Sequence, residues 1–127
     1  MKIKELEPRM PVTIGKSESL ASAAKLLTEE DIGALVVFEP HGLAGILSER
    51  DLVRALADGC DPYATEVCEY MTVSPVVSDE EAAVPDAIAK MNEGGIRHVV
   101  ITSAGDVSGV ISMRDILAML GTRWPEL

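Results

Sequence analysis

Gly45-Ile46-Leu47-Ser48-Glu49-Arg50-Asp51 returns 64 residues later as Gly109-Val110-Ile111-Ser112-Met113-Arg114-Asp115, and the offset (45 to 109) does not drift. Carried backwards it pairs Ile3 with Val67, Leu6 with Tyr70, Pro11 with Pro75, Val12 with Val76, Ala23 with Ala87, Ile32 with Ile96 and Val36 with Val100; carried forwards it pairs Leu56 with Leu120. Similarity at one fixed spacing through most of a chain is the mark of a duplicated supersecondary unit whose copies bury a core. The repeat divides the sequence into residues 1–60 and 61–127.

Each copy reads strand, helix, strand, strand, helix. In the first, an extended piece around Pro11 to Ile14 precedes a helix whose apolar residues Leu20, Ala23, Ala24 and Leu27 fall at i, i+3, i+4 and i+7, with Ser19 as N-cap. Asp31 to Gly33 end it. Ala34 to Phe38 and Leu43 to Leu47, joined by Pro40-His41-Gly42, read as a hairpin. A second helix follows Ser48, with Leu52, Val53 and Leu56 expected inward and Gly59 as its C′ residue. A connector, broken by Asp61-Pro62, runs through a short helical turn at Thr65 to Tyr70.

The second copy repeats this order. Ser78-Asp79-Glu80-Glu81 resembles a capping box, but Pro85 fits a helix best in its first turn, which puts the start near Val84. Val84, Ala87, Ile88 and Met91 form the inward stripe, Gly94-Gly95 end the helix, and Arg97 to Thr102 with Val107 to Ile111 form the second hairpin. Ile116, Leu117 and Leu120 are expected as the last buried face. The fold class is α/β: two β-α-β-β-α units related by pseudo-twofold symmetry.

Composition narrows the function. Eleven Lys and Arg against 21 Asp and Glu give a net charge of −10, which repels phosphate backbones, and 3% aromatic residues leave few platforms for stacking bases, so nucleic acid is not an expected partner. No apolar run approaches the roughly 18 residues of a membrane span, and the first residues lack the apolar core of a signal peptide. Cys60 and Cys68, with seven residues between them and no CxxC, indicate neither zinc nor a disulfide framework. A reduced, cytoplasmic chain is the simplest expectation.

Ser48-x-x-Asp51 and Ser112-x-x-Asp115 admit two readings. As capping boxes they close the first turn of each second helix and contribute about 1 kcal/mol apiece. As a site, a helix N-terminus bearing free N–H groups, a hydroxyl and a carboxylate is suited to a sugar diol and a phosphate. Two copies with Gly, Ser, Arg and Asp all in place favour the second reading beyond what one match would.

The doubled Gly-apolar-apolar-Ser-x-x-Asp motif, with Tyr70-Met71-Thr72 and Ile96-Arg97-His98-Val99-Val100 ahead of its second copy, resembles a tandem pair of cystathionine β-synthase (CBS) domains over residues 3 to 120. The resemblance implies that the two units pack about a pseudo-twofold axis, with clefts between them for adenosine-containing ligands: AMP, ADP, ATP or S-adenosylmethionine. One cleft would hold Ser48 and Asp51 facing Thr72, Val76, Ile96, Arg97 and His98, with Arg114 near the phosphates. The other would hold Ser112 and Asp115 facing Val12, Ile32, Gly33 and Ala34, with Arg50 alongside. Where the second copy has Met71-Thr72 and Arg97-His98, the first has Glu7-Pro8 and Gly33-Ala34. The basic residues therefore gather at the Asp51 cleft, which is expected to be the tighter one for phosphorylated ligands.

The resulting expectation is a stand-alone ligand-sensing regulatory module, not an enzyme, with no obligatory cofactor and no metal. It would act as a homodimer, through helix faces that include Ala55, Ala57, Ala118 and Met119, or on an effector protein. The competing reading is a structural dimerisation module with no physiological nucleotide, whose Ser/Asp pairs are caps only. His98 alone makes no catalytic set. Met91 and Met119 fit core positions, His41 a solvated turn, and Trp124 a docking contact near the terminus.

Overall fold

In the computed structural model, which describes residues 1–121, the chain forms two compact units. The first is Val12–Pro75; the second joins Met1–Pro11 to the segment from Val76 onward. The sequence repeat is cut at 60/61, but the compact units are cut elsewhere, because the residues leading into each copy pack with the other copy's sheet.

The first unit contains β1 (Thr13–Gly15), α1 (Leu20–Glu30), β2 (Ala34–Glu39), β3 (Gly42–Ser48), α2 (Glu49–Ala57) and, after a 3-10 turn at Val67–Glu69, β4 (Thr72–Val73). Its sheet order is β1-β2-β3-β4, with β1 parallel to β2 and the other pairs antiparallel. Ser19 accepts the Ser22 N–H as the expected N-cap, and Asp31 ends α1 in the left-handed region. Leu20, Ala23 and Leu27 from α1 pack on Leu35, Val37 and Leu47 of the sheet, all buried. Each fully buried Leu or Val of this kind contributes about 1.5–3 kcal/mol.

The second unit opens with a 3-10 turn at Ile3–Leu6 and continues with β5 (Val77–Asp79), α3 (Val84–Gly94), β6 (His98–Ser103), β7 (Asp106–Ser112) and α4 (Met113–Gly121). Its sheet order is β5-β6-β7, with β5 parallel to β6. Helix α3 starts at Val84, with Ala83 as N-cap and Pro85 in the first turn, as the proline position required. Ile3 and Leu6 complete the core made by Val84, Ala87, Met91, Val99, Ile101, Ile111 and Ile116. The leading segment is tied down along its length. Ile3 N–H donates to the Ala82 carbonyl at 2.9 Å, Lys4 N–H to Glu80 at 3.0 Å and Val84 N–H to Met1 at 2.9 Å.

The inward face of the second helix in each copy is in part the expected one: Leu52 packs on the first core and Ile116 and Leu120 on the second, whereas Val53, Leu56 and Leu117 do not. In α2 it is Asp51 and Ala55 that are buried, whereas Val53 and Leu56 are 65% and 64% exposed; in α4 Ile116 is buried and Leu117 is 62% exposed. A nine-residue helix with apolar residues on two sides buries whichever side its cap presents to the sheet. Trp124 lies outside the described residues.

Candidate functional site

Both Ser/Asp doublets sit where a hairpin turns into a helix. In the first unit, Ala34 lies opposite Ser48 in the β2–β3 register, and the Glu49 N–H donates to the Gly33 carbonyl at 3.0 Å. In the second, His98 lies opposite Ser112 and the Met113 N–H donates to the Arg97 carbonyl at 2.9 Å. One of the otherwise unpaired N–H groups of each helix start is satisfied in this way.

The glycine that opens each motif has a steric reason. A Cβ on Gly45 would overlap the Thr72 carbonyl oxygen, and one on Gly109 would lie 2.9 Å from the Arg9 carbonyl oxygen and 3.0 Å from the Pro8 side chain. The missing side chain lets the segment leading into the opposite copy lie directly on the strand. Thr72 and Val73 pair with Ile46 and Gly45, and Val110 N–H donates to the Arg9 carbonyl at 3.1 Å.

At Ser48 the capping box is complete: the Ser48 N–H and Oγ donate to Asp51 Oδ2 at 2.8 and 3.1 Å, and the Asp51 N–H returns a bond to Ser48 Oγ at 3.4 Å. The other carboxylate oxygen, Oδ1, accepts from the Arg54 guanidinium. Asp51 is 3% exposed. At Ser112 the same box forms, with Ser112 N–H to Asp115 Oδ2 at 3.1 Å and Asp115 N–H to Ser112 Oγ at 3.0 Å. Asp115 is only half-buried, and among the described residues no donor reaches its Oδ1.

Asp115 instead borders a cavity of about 300 Å³, the lower end of the roughly 300–1,000 Å³ typical of ligand pockets. Leu6 and Ile111 give it apolar surface, Glu7, Pro8 and Arg9 of the leading segment line it, and Ala118 and Met119 come from α4 with Asp115. Its walls are fixed by the same bonds that hold the leading segment. The Lys2 and Lys4 ammonium groups each lie 2.7 Å from a Glu81 carboxylate oxygen. The Lys2 hydrogen bond, then that from Lys4, draws the Glu81 pKa down to about 2, and the Glu81 hydrogen bond raises that of Lys4.

Of the residues expected at a ligand site, the first unit brings together Ser48, Asp51 and Thr72, and also contains Val12, Ile32, Gly33, Ala34 and Arg50. The second unit contains Ser112, Asp115, Arg114, Val76, Ile96, Arg97 and His98. Arg50, Arg97 and Arg114 are exposed and His98 is half-buried. Sequence reasoning did not single out Arg54 or Arg9. Arg54 was legible as a basic residue three positions after Asp51 on one helix, and as a break in the repeat, since the 64-residue offset puts Ala118 opposite it. Arg9 could not be found from the repeat, because it acts on the copy to which it does not belong in sequence. Among the described residues no cluster of His, Cys, Asp or Glu could hold a metal ion, and no helix is long and apolar enough to cross a membrane.

Comparison with known proteins agrees with this architecture. A protein from Acidianus ambivalens, described as an uncharacterized 17.7 kDa protein, is 31% identical over 121 residues, which cover 94% of this chain and 73% of the relative. The solved structure of a protein with CBS domains from Burkholderia ambifaria superposes with a TM-score of 0.92 at 27% identity, over 98% of this chain and 96% of that one. A CBS domain protein from Pyrobaculum aerophilum, solved in complex with AMP, gives a TM-score of 0.83 at 29% identity over 96% and 99% of the two chains. The model of the CBS domain matches residues 3–58 and again 67–121. With nearly its whole length accounted for by two such matches, the chain belongs to the CBS domain family.

Proposed function

We propose that this chain is a regulatory module, not an enzyme, that senses an adenosine-containing small molecule and passes its occupancy on through association with itself or with an effector protein. The observation that carries the reading is the Asp115 carboxylate, held by its cap through Oδ2 while it borders a cavity lined also by Arg9. A carboxylate oxygen accepts hydroxyls of a ribose, and an arginine lining the same cavity and a helix N-terminus favour phosphate. The AMP held by the Pyrobaculum aerophilum protein supports the same ligand class. AMP, ADP, ATP and S-adenosylmethionine are the candidates. The residues that the resemblance adds to each Ser/Asp pair remain part of this proposal.

Calorimetry with each candidate tests it. Asp115→Asn should weaken binding by about 1–3 kcal/mol, since a ribose hydroxyl loses its charged acceptor. No binding of any candidate at millimolar concentration would reject the reading. Ligand at 100 times its dissociation constant adds about 2.7 kcal/mol of stability, so a thermal shift reports the same event.

A second observation concerns association. Val53, Leu56 and Tyr63 are exposed, and Leu56 and Tyr63 border a largely apolar cavity of about 280 Å³ together with residues of α1 and α2. Apolar surface of this kind marks an interface. The proposed homodimer uses Val53 and Leu56 in place of Ala55, which is 1% exposed and belongs to the core. Leu56→Glu should give a monomer by light scattering; an unchanged dimer would remove this face from the proposal. The structural-module reading applies best to Asp51, whose two oxygens are both engaged within its own helix start. Cys60 and Cys68 are both free, which suits a reducing cytoplasm.

A further inference from the structure

We infer that Arg54 is a built-in plug: it occupies the Asp51 carboxylate, so that of the two doublets the one at Ser112 and Asp115 is open to ligand. The inference rests on the function proposed above and assigns the site. It also reverses the expectation from charge counting that the Asp51 side would bind phosphorylated ligands more tightly.

Helices α2 (Glu49–Ala57) and α4 (Met113–Gly121) correspond residue for residue at the 64-residue offset. Their first turns are built alike, with the Ser N–H donating to Asp Oδ2 and the Asp N–H donating back to Ser Oγ. One turn later they part. Position 54 is arginine and its guanidinium donates to Asp51 Oδ1; position 118 is alanine, which has no donor to offer and lines the cavity beside Asp115. An arginine at position 118 would stand to Asp115 as Arg54 stands to Asp51, three residues on along the same helix.

The plug has a physical cost of removal. A ribose offers two O–H donors and needs acceptors for both. At Asp51, Oδ2 already accepts two bonds and Oδ1 accepts a charge-assisted one, in a side chain only 4% exposed. A ligand would have to displace a charged donor by a neutral one. Arg54 itself is 60% exposed, so its stem is not required by the core and substitution should leave the fold intact.

The test is a set of calorimetric titrations with AMP and with adenosine. Wild-type protein should bind one molecule per chain, and Asp115→Asn should weaken that site about 5- to 150-fold. Arg54→Ala and Arg54→Met should each bind two per chain, and the Arg54→Ala/Asp115→Asn double variant one with unweakened affinity. Ala118→Arg, which transplants the plug, should weaken the wild-type site at least tenfold. Two equal sites in wild type, one site in both Arg54 variants, or weaker binding in them (which would make Arg54 a ligand contact) would overturn the inference while leaving the proposed function standing. No binding to wild type or to either Arg54 variant would overturn both.

Discussion

The two helix starts at Ser48 and Ser112 share their cap and part at the sixth residue after it, arginine in one and alanine in the other. Both use the same serine, the same aspartate three residues on and the same glycine three residues before. Yet Asp51 accepts from Arg54 through Oδ1, while Asp115 borders a cavity that Arg9 also lines. A duplicated motif thus secures a duplicated scaffold. On the proposed function, whether each copy binds ligand depends on residues outside the motif, one of them contributed by the leading segment of the other copy.

The scaffold half of this comparison breaks most severely at the glycines. Gly45→Ala places a methyl group on a backbone carbonyl, which cannot give way as a side-chain tip would; overpacking of this kind costs about 1–3 kcal/mol. Gly109→Ala meets the Arg9 carbonyl less closely and should cost less. Urea denaturation of both variants gives the order. Equal and negligible losses would mean that the close approach of the leading segments is not what the motif glycine serves.

The core offers a smaller difference between the copies. Ile14 belongs to the apolar core of the first unit, and its counterpart in the second, Ser78, is 2% exposed with its Oγ without a hydrogen-bond partner among the described residues. A buried hydroxyl left unpaired costs about 1–3 kcal/mol, so Ser78→Val should raise stability by about 1 kcal/mol. A lower melting temperature would instead give the serine a structural partner.

How far the fold was legible follows from these particulars. Ser19, Pro85, Gly59 and the hairpin turns are local signals, each acting through the backbone of its own segment, and each lies where its chemistry placed it. Asp31 and Gly95, at the same offset, both end their helices with positive φ, of 51° and 62°, although only one is glycine. The inward faces of α2 and α4 were legible in part: Leu52, Ile116 and Leu120 pack on the cores, but Val53, Leu56 and Leu117 are equally apolar and exposed, and only the tertiary setting selects between them. The exchange of leading segments was not legible for a related reason. A repeat shows which residues are equivalent, not which copy they pack on. Of the proposed site, Ser112, Asp115, Ser48 and Asp51 were legible because they stand in the motif, but Arg54 and Arg9 do not.

The smallest effect sharpens the role of the leading segment. Glu81, drawn down to about 2 by Lys2 and Lys4 from an ordinary 4.5, contributes stability that is present above pH 4.5 and lost as the pH falls through about 2. Carboxyl titration followed by NMR should show this low midpoint, and Lys2→Ala/Lys4→Ala should return it towards 4.5. A normal midpoint in wild type would mean that Glu81 does not anchor the segment that carries Arg9.

The most direct test of the difference between the two doublets is a crystal structure of the wild-type protein grown with AMP. The account predicts nucleotide density against Asp115, with the ribose on Oδ1 and the phosphate towards Arg9, and an undisturbed Arg54–Asp51 pair. Nucleotide bound at Asp51 with Arg54 displaced, and none at Asp115, would contradict it.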